Sequence, residues 1–185
     1  MRDRALVARE ALPSEVRAVM ERAIEGHLDG LVEQLRPRSL AFCWPYRAEP
    51  DLRAWVTRWL GAGEGRLAAL PVVLEKDAPL VFRAWTPGAT MQADRHGIPF
   101  PVAGVTVLPD VVLVPLNAFD AGGFRLGYGG GYFDRTLAAK RLQAIGVGFE
   151  LGRVDSVLPQ QHDRAMDWLV TEAGAFATPV QSVNA

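Results

Sequence analysis

The segment Val111-Val112-Leu113-Val114-Pro115 constrains this chain more than any other. It has no polar alternation, so a strand formed here is apolar on both faces and needs cover on both. Other apolar runs of strand length are Leu40-Ala41-Phe42-Cys43-Trp44, Leu67 to Leu74, Leu80 to Trp85, Ala144 to Phe149 and Trp168 to Thr171. Helical patterns alternate with them. From Ser14 to Leu35 the residues Val16, Val19, Met20, Ala23, Ile24, Leu28, Leu31, Val32 and Leu35 recur at helical spacing. Ser14 is placed to cap that helix and Pro37 follows its end. Arg4 to Leu12 predicts a shorter helix before it. Asp51 is placed to cap another, with Leu52, Trp55, Val56, Trp59 and Leu60 inward and Gly61 and Gly63 at its end. Gly131 to Arg141 reads as a further helix. Gly97-Ile98-Pro99-Phe100-Pro101 reads as an irregular connection, because proline cannot serve an interior ladder. Short apolar strands alternating with helices predict an α/β layered fold with a mostly parallel sheet covered on both faces. With no repeat, low-complexity tract or linker, residues 1–185 are expected to form a single domain.

Composition narrows the function classes. A net charge of -1, with Lys and Arg scattered, gives no electrostatic footprint for nucleic acid or an anionic membrane. The single cysteine, Cys43, excludes an internal disulfide framework and a cysteine-rich zinc site. No apolar run approaches the ~20 residues that span a bilayer, and the N-terminus does not read as a signal peptide. A cytoplasmic protein is expected.

The chemistry concentrates after Val111–Pro115, in Phe119-Asp120-Ala121-Gly122-Gly123-Phe124-Arg125-Leu126-Gly127-Tyr128-Gly129-Gly130-Gly131-Tyr132-Phe133-Asp134-Arg135. Glycines let a backbone approach a ligand closely and adopt positive φ. A helix start offers unpaired N–H groups and a positive dipole end, both suited to phosphate oxygens. Arg125 adds a planar fork of donors. Asp134 offers a carboxylate of the kind that binds magnesium beside a substrate's phosphates. The Walker loop is excluded, since the stretch has no lysine. The dinucleotide fingerprint starts at Gly127 and Gly129 but meets Tyr132 where its third glycine belongs. Glu150 stands where a ribose-binding acid is expected, which keeps a dinucleotide-dependent enzyme as an alternative. A glycine-rich turn without a ligand is the other.

The loop resembles the 5-formyltetrahydrofolate cyclo-ligase (methenyltetrahydrofolate synthetase) family. That family's hallmark is Val-Pro-x-x-Ala-Phe-Asp followed by Arg-Leu-Gly-Tyr-Gly-Gly-Gly-Tyr-Tyr-Asp-Arg. Here Val114-Pro115-Leu116-Asn117-Ala118-Phe119-Asp120 and Arg125 to Arg135 match it, with Phe133 in place of one tyrosine. Arg9-Glu10-Ala11-Leu12, Glu49-Pro50-Asp51, Leu70-Pro71-Val72-Val73, Leu158-Pro159, His162-Asp163 and Thr171-Glu172 extend the resemblance along most of the chain. It implies a three-layer, Rossmann-like fold of cyclo-ligase type. It also implies MgATP-driven conversion of 5-formyltetrahydrofolate to 5,10-methenyltetrahydrofolate, with release of ADP and phosphate. ATP would be gripped by Arg125, Leu126, Gly127, Tyr128, Gly129, Gly130, Gly131, Tyr132, Phe133 and Asp134. Arg125, Tyr132 and Asp134 would carry the chemistry, and Asp134 would hold Mg2+. Glu49 would hydrogen-bond the pterin, with Trp44 nearby and Tyr132 at the folate–phosphate junction.

Two positions depart from the family. Members often carry a lysine a few residues before a Leu-Arg pair; Met1-Arg2 falls on that pair, and Arg2 is expected to reach ATP in the lysine's place. Where many members read Phe-Gly-Ile-x-Glu-Pro, this chain reads His96-Gly97-Ile98-Pro99-Phe100-Pro101. These departures leave a non-catalytic folate- or nucleotide-binding module of the same fold as a further alternative. Among other residues, His162 beside Asp163 reads as loop bracing, Cys43 as a core residue, and Trp55 with Trp59 as a helix's inner face. Trp44 and Trp85 each end a strand candidate, where α/β sheets place ligands, and are expected to flank the pterin. The expected partners are small molecules, and the expected assembly is a monomer or weak homodimer.

Overall fold

The computed structural model describes residues 1–94 and 97–179. In chain order the elements are α1 (Arg2–Glu10), α2 (Ser14–Leu35), β1 (Ser39–Ala41), α3 (Arg53–Gly61), β2 (Leu67–Val72), β3 (Val81–Trp85), β4 (Met91–Ala93), β5 (Pro99–Pro101), β6 (Thr106–Val107), β7 (Val111–Pro115), β8 (Ala118–Phe119), β9 (Arg125–Leu126), α4 (Tyr132–Ala139), β10 (Gln143–Val147), β11 (Trp168–Thr171) and β12 (Gly174–Ala177). Eight strands form one sheet in the order β12-β11-β10-β7-β1-β2-β3-β6. Its centre, from β11 to β2, is parallel, while β12, β3 and β6 extend the two sides antiparallel.

The two-faced strand sits where its sequence requires. Val111 and Leu113 of β7 join one apolar cluster with Ile24, Leu28 and Leu31 of α2 and Trp55, Val56 and Trp59 of α3. Val112 and Val114 join the other, against which Tyr132, Phe133 and Leu137 of α4 pack. Alternate residues of one strand therefore feed opposite layers, the period-2 consequence of the pleat. The expected three-layer α/β sandwich is present.

Several local expectations are corrected. Ser14 is the first residue of α2; Pro13 occupies the cap position and no side chain caps the helix. Val16 and Val19 are exposed because α2 buries its middle and C-terminal half, at Ile24, Leu28 and Leu31. Asp51 does not cap α3, whose cap position is Leu52; its carboxylate accepts from the Arg53 N–H at 3.1 Å and pairs with the Arg53 guanidinium. Gly63 lies beyond α3, whose cap residue is Ala62. The connection at Pro99–Pro101 is a short strand, paired antiparallel with β4 in a separate two-stranded ribbon. Proline is tolerated there because neither strand has a second neighbour. His96, the first residue of the His96–Pro101 motif, lies outside the described residues.

Candidate functional site

The strand order locates the site before any side chain does. From β1 the chain passes through α3 to β2 on one side, whereas from β7 it passes through α4 to β10 on the other. β1 and β7 are neighbours, with Leu40 beside Val111 and Ala41 beside Val112. The loops leaving their carboxyl ends therefore diverge around a crevice, the place where open α/β sheets bind ligands. Those loops are 42–52, which contains Glu49, and 116–131, which contains the glycine-rich stretch. A small cavity between the first of these loops and the carboxyl ends of β7 and β10 is lined by Cys43, Glu49, Pro50, Leu113, Pro115 and Val147. The other hollow of note lies between α2 and α3, at Asp29, Val32, Glu33, Arg58 and Arg66, and includes no predicted site residue.

The glycine-rich loop is more built than its composition suggests. β8 and β9 form a two-stranded ribbon, pairing Ala118 with Leu126 and Phe119 with Arg125. Its turn is closed by Asp120. Oδ1 accepts from the N–H groups of Gly122 at 3.0 Å and Phe124 at 3.3 Å, and Oδ2 from that of Val157 at 3.0 Å. Beyond the ribbon, Gly129 has φ 91° and Gly131 φ 62°, the latter at the cap position of α4. Both are left-handed values that a side chain strains to adopt. A Cβ on Gly129 would stand 3.3 Å from the guanidinium of Arg2, so Arg2 lies against the loop. Gly127 has open space where a side chain would stand.

Arg125 and Asp134 are brought together. The Arg125 side chain is 5% exposed and donates to Asp134 Oδ1 at 3.1 Å and to the Arg164 carbonyl at 3.0 Å. The Arg164 N–H also donates to Asp134 Oδ1, at 3.1 Å. Tyr132, the first residue of α4, packs on the second apolar cluster, and the Arg135 guanidinium stands 4.9 Å over its ring. Arg135 also donates to the Gly130 carbonyl at 2.7 Å. Phe133 lies under Arg125, 5.9 Å from its guanidinium carbon. Among the described residues, no group of three or more His, Cys, Asp or Glu is arranged to hold a metal ion. A lone carboxylate such as Asp134 suits magnesium only in company with a substrate's phosphates.

Glu49 is 5% exposed, not the solvated loop acid its local sequence suggests. Tyr128 donates to Oε1 at 2.8 Å and the Tyr46 N–H to Oε2 at 3.1 Å. Burial raises the Glu49 pKa, against the lowering effect of those two bonds and of the nearby Arg9 charge. The Tyr128 side chain turns to Glu49 and lies edge-on to Tyr46, ring centres 5.4 Å apart. Burial and Glu49 push the Cys43 thiol up, away from the thiolate a nucleophile needs.

Trp44 and Trp85 meet edge to face at 6.4 Å, but only Trp44 lies at the crevice end of the sheet. β3 runs antiparallel, so Trp85 at its end is level with Ala68 at the start of β2. It is a core residue packed on Phe42 at 5.1 Å, which corrects its expected place beside the pterin. Arg53 stacks over Trp44 at 4.8 Å. Glu150, the alternative ribose acid, is occupied by Arg153 and by the Thr171 hydroxyl at 2.8 Å. Together with the ribbon between β7 and α4, which removes the tight first turn of a dinucleotide site, this sets that reading aside. Asp163 accepts from the Gln160 N–H at 2.7 Å, a loop-bracing bond, while the neighbouring His162 is exposed.

Sequence reasoning missed Arg9 and Asp120 as contributors. Arg9 sits one turn after Leu6 on α1, and both are buried.

The profile of the 5-formyltetrahydrofolate cyclo-ligase family matches residues 1–172. A 5-formyltetrahydrofolate cyclo-ligase of Mycolicibacterium smegmatis is 33% identical over 182 residues, covering 92% of this chain and 91% of its own. The one of Haemophilus influenzae is 30% identical over 152 residues, covering 77% and 79%. The solution structure of Aquifex aeolicus 5,10-methenyltetrahydrofolate synthetase superposes with a TM-score of 0.83 at 26% identity, covering 100% of this chain and 94% of that one.

Proposed function

The chain belongs to the 5-formyltetrahydrofolate cyclo-ligase family, and on that premise we propose that it closes 5-formyltetrahydrofolate to 5,10-methenyltetrahydrofolate at the expense of ATP. The observation that carries this reading is the crevice at the β1–β7 divergence, where the glycine-rich loop and Glu49 share one hydrogen-bonded wall. In this reaction the formyl oxygen attacks the γ-phosphate and displaces ADP to give an imidate-like phosphate. The neighbouring folate nitrogen then closes the ring and phosphate leaves. Such a sequence asks the protein for positioning and charge neutralisation.

The backbone of Gly127 to Gly131 and the start of α4 form the phosphate cradle, with Arg2 and Arg125 as its cations. Tyr132 lies at the folate–phosphate junction. Glu49 holds the pterin through acceptor oxygens, and Trp44 forms the wall beside it. Mg2+ would be held by Asp134 together with the phosphates of ATP, and when bound it supplies further neutralisation of their charge. The partners are thus two small molecules, for an enzyme acting in the cytoplasm as a monomer or weak homodimer. No helix among the described residues is long and apolar enough to cross a membrane.

The test is direct. Purified protein with 5-formyltetrahydrofolate and MgATP is expected to generate the absorbance of 5,10-methenyltetrahydrofolate. Folate binding with no product would refute the catalytic reading and leave a binding module of the same fold.

A further inference from the structure

Among the described residues, two buried opposite charges near the crevice have no direct ion pair. Arg9 is 3% exposed, and all four bonds of its guanidinium go to uncharged acceptors. Nε donates to the Arg47 carbonyl at 3.0 Å, and Nη1 to the Leu116 carbonyl at 3.3 Å and Asn117 Oδ1 at 2.8 Å. Nη2 donates to the Tyr128 hydroxyl at 2.8 Å. Glu49, the buried anion, receives only Tyr128 and the Tyr46 N–H. A buried charge without a partner is strongly unfavourable, so whatever atom joins these two holds them both.

That atom is the Tyr128 oxygen. A guanidinium has donors only, so the hydroxyl must accept from Arg9, and its single proton must then point at Glu49. The arrangement is an ion pair relayed through one hydroxyl, with its polarity fixed. It draws on three regions far apart in sequence: α1, the loop after β1, and the glycine-rich loop. A second pair, Arg47 with Glu10 at 2.7 Å, ties the loop after β1 to α1 beside it.

We propose that Tyr128, oriented by Arg9, is a positioning residue that sets the Glu49 carboxylate for the folate, so that the phosphate loop also builds the folate site. The inference rests on the assignment of Glu49 to the folate made above. Tyr128 acts through its side chain on Glu49, while its backbone stays in the cradle. Loss of the hydroxyl alone therefore separates the two substrates.

Tyr128→Phe keeps the ring against Tyr46 and removes only the relay. We expect the KM for 5-formyltetrahydrofolate to rise at least about tenfold, the lower end for a lost bond to a charged group, while the KM for ATP moves less than about threefold. Combined with Glu49→Gln, it should add no further loss, because the group it acts on is already changed. An ATP KM that rises as far as the folate KM would make Tyr128 a loop-shaping residue and overturn the proposal. So would a full additive loss on the Glu49→Gln background. If Glu49→Gln alone leaves the folate KM unchanged, the assignment of Glu49 fails and takes the inference with it. Should Tyr128→Phe fail to fold, Arg9→Lys enters the same cycle: it keeps the charge but cannot reach the four acceptors together, and it should also lose its effect beside Glu49→Gln.

Discussion

Asp120 offers the sharpest test of how the loop is built. Its carboxylate, on a residue only 5% exposed, accepts three backbone N–H groups, those of Gly122 and Phe124 on one oxygen and of Val157 on the other. Asp120→Asn is nearly isosteric, and its amide settles with oxygen toward Gly122 and Phe124, because the opposite orientation loses two bonds rather than one. The amide nitrogen then faces the Val157 N–H, donor against donor. One bond to a charged acceptor is lost, about 1.5–3 kcal/mol, and two others weaken from charged to neutral acceptors, roughly 0.5 kcal/mol each. The sum is about 3 kcal/mol, which for a domain of this size is a fall in Tm of about 6–12 °C. Thermal unfolding followed by circular dichroism at neutral pH measures it. Because the turn leads directly into Arg125, the KM for ATP should rise in the folded variant as well. A Tm within about 2 °C of the parent would refute the view that this acid closes the ribbon.

Other expectations follow from the same geometry. Arg125→Ala should weaken ATP by about 1.5–3 kcal/mol, the range for a charge-assisted bond, and an unchanged KM for ATP would contradict its place in the cradle. Gly129→Ala puts a side chain at φ 91°, a strain of about 1–2 kcal/mol, and presses it on Arg2; steady-state kinetics should show a raised KM for ATP and little change for the folate. Glu49 has a folded pKa above the usual value of 4.5, so between those two values the native state binds more protons than the unfolded one. Stability then falls as pH rises through that window. Melting curves across acidic to neutral pH should show Glu49→Gln gaining on the parent as pH rises, and a pH-independent difference would show that Glu49 does not titrate as its burial implies.

Much of the architecture was legible because apolar patterning reports burial. The both-face run at Val111–Pro115 foretold a central strand, and the spacing from Ile24 to Leu31 foretold the buried face of α2. Strand direction was not legible, since an apolar run reads the same in either sense. That is why Trp85 was placed at the crevice although β3 is antiparallel. β4, β6 and β12 passed unread because two to four partly exposed residues carry little periodicity. In the site, the glycine spacing predicts a phosphate cradle, and the motif match narrows that expectation to an ATP–folate junction. The burial of Glu49 had no local signal, because its partner Tyr128 is 79 residues away. Arg9 was hidden for a related reason: an arginine on a helix is ordinarily solvated, and only the loops that converge on it from residues 47, 116 and 128 make it internal.

The adjacency of β1 and β7 bears on how the protein comes to exist at all. Leu40 and Val111 pair across about seventy residues of intervening chain, and closing such a loop costs entropy before any contact repays it. Local helices such as α2 are expected to form early, and the central parallel pairing to form late. The crevice opens at the carboxyl ends of these two paired strands, so a chain that has not closed its middle has no crevice. Ligand affinity should therefore appear in a single step on refolding, and substrate, by binding only the completed sheet, should slow the global unfolding of the domain rather than the fraying of one loop.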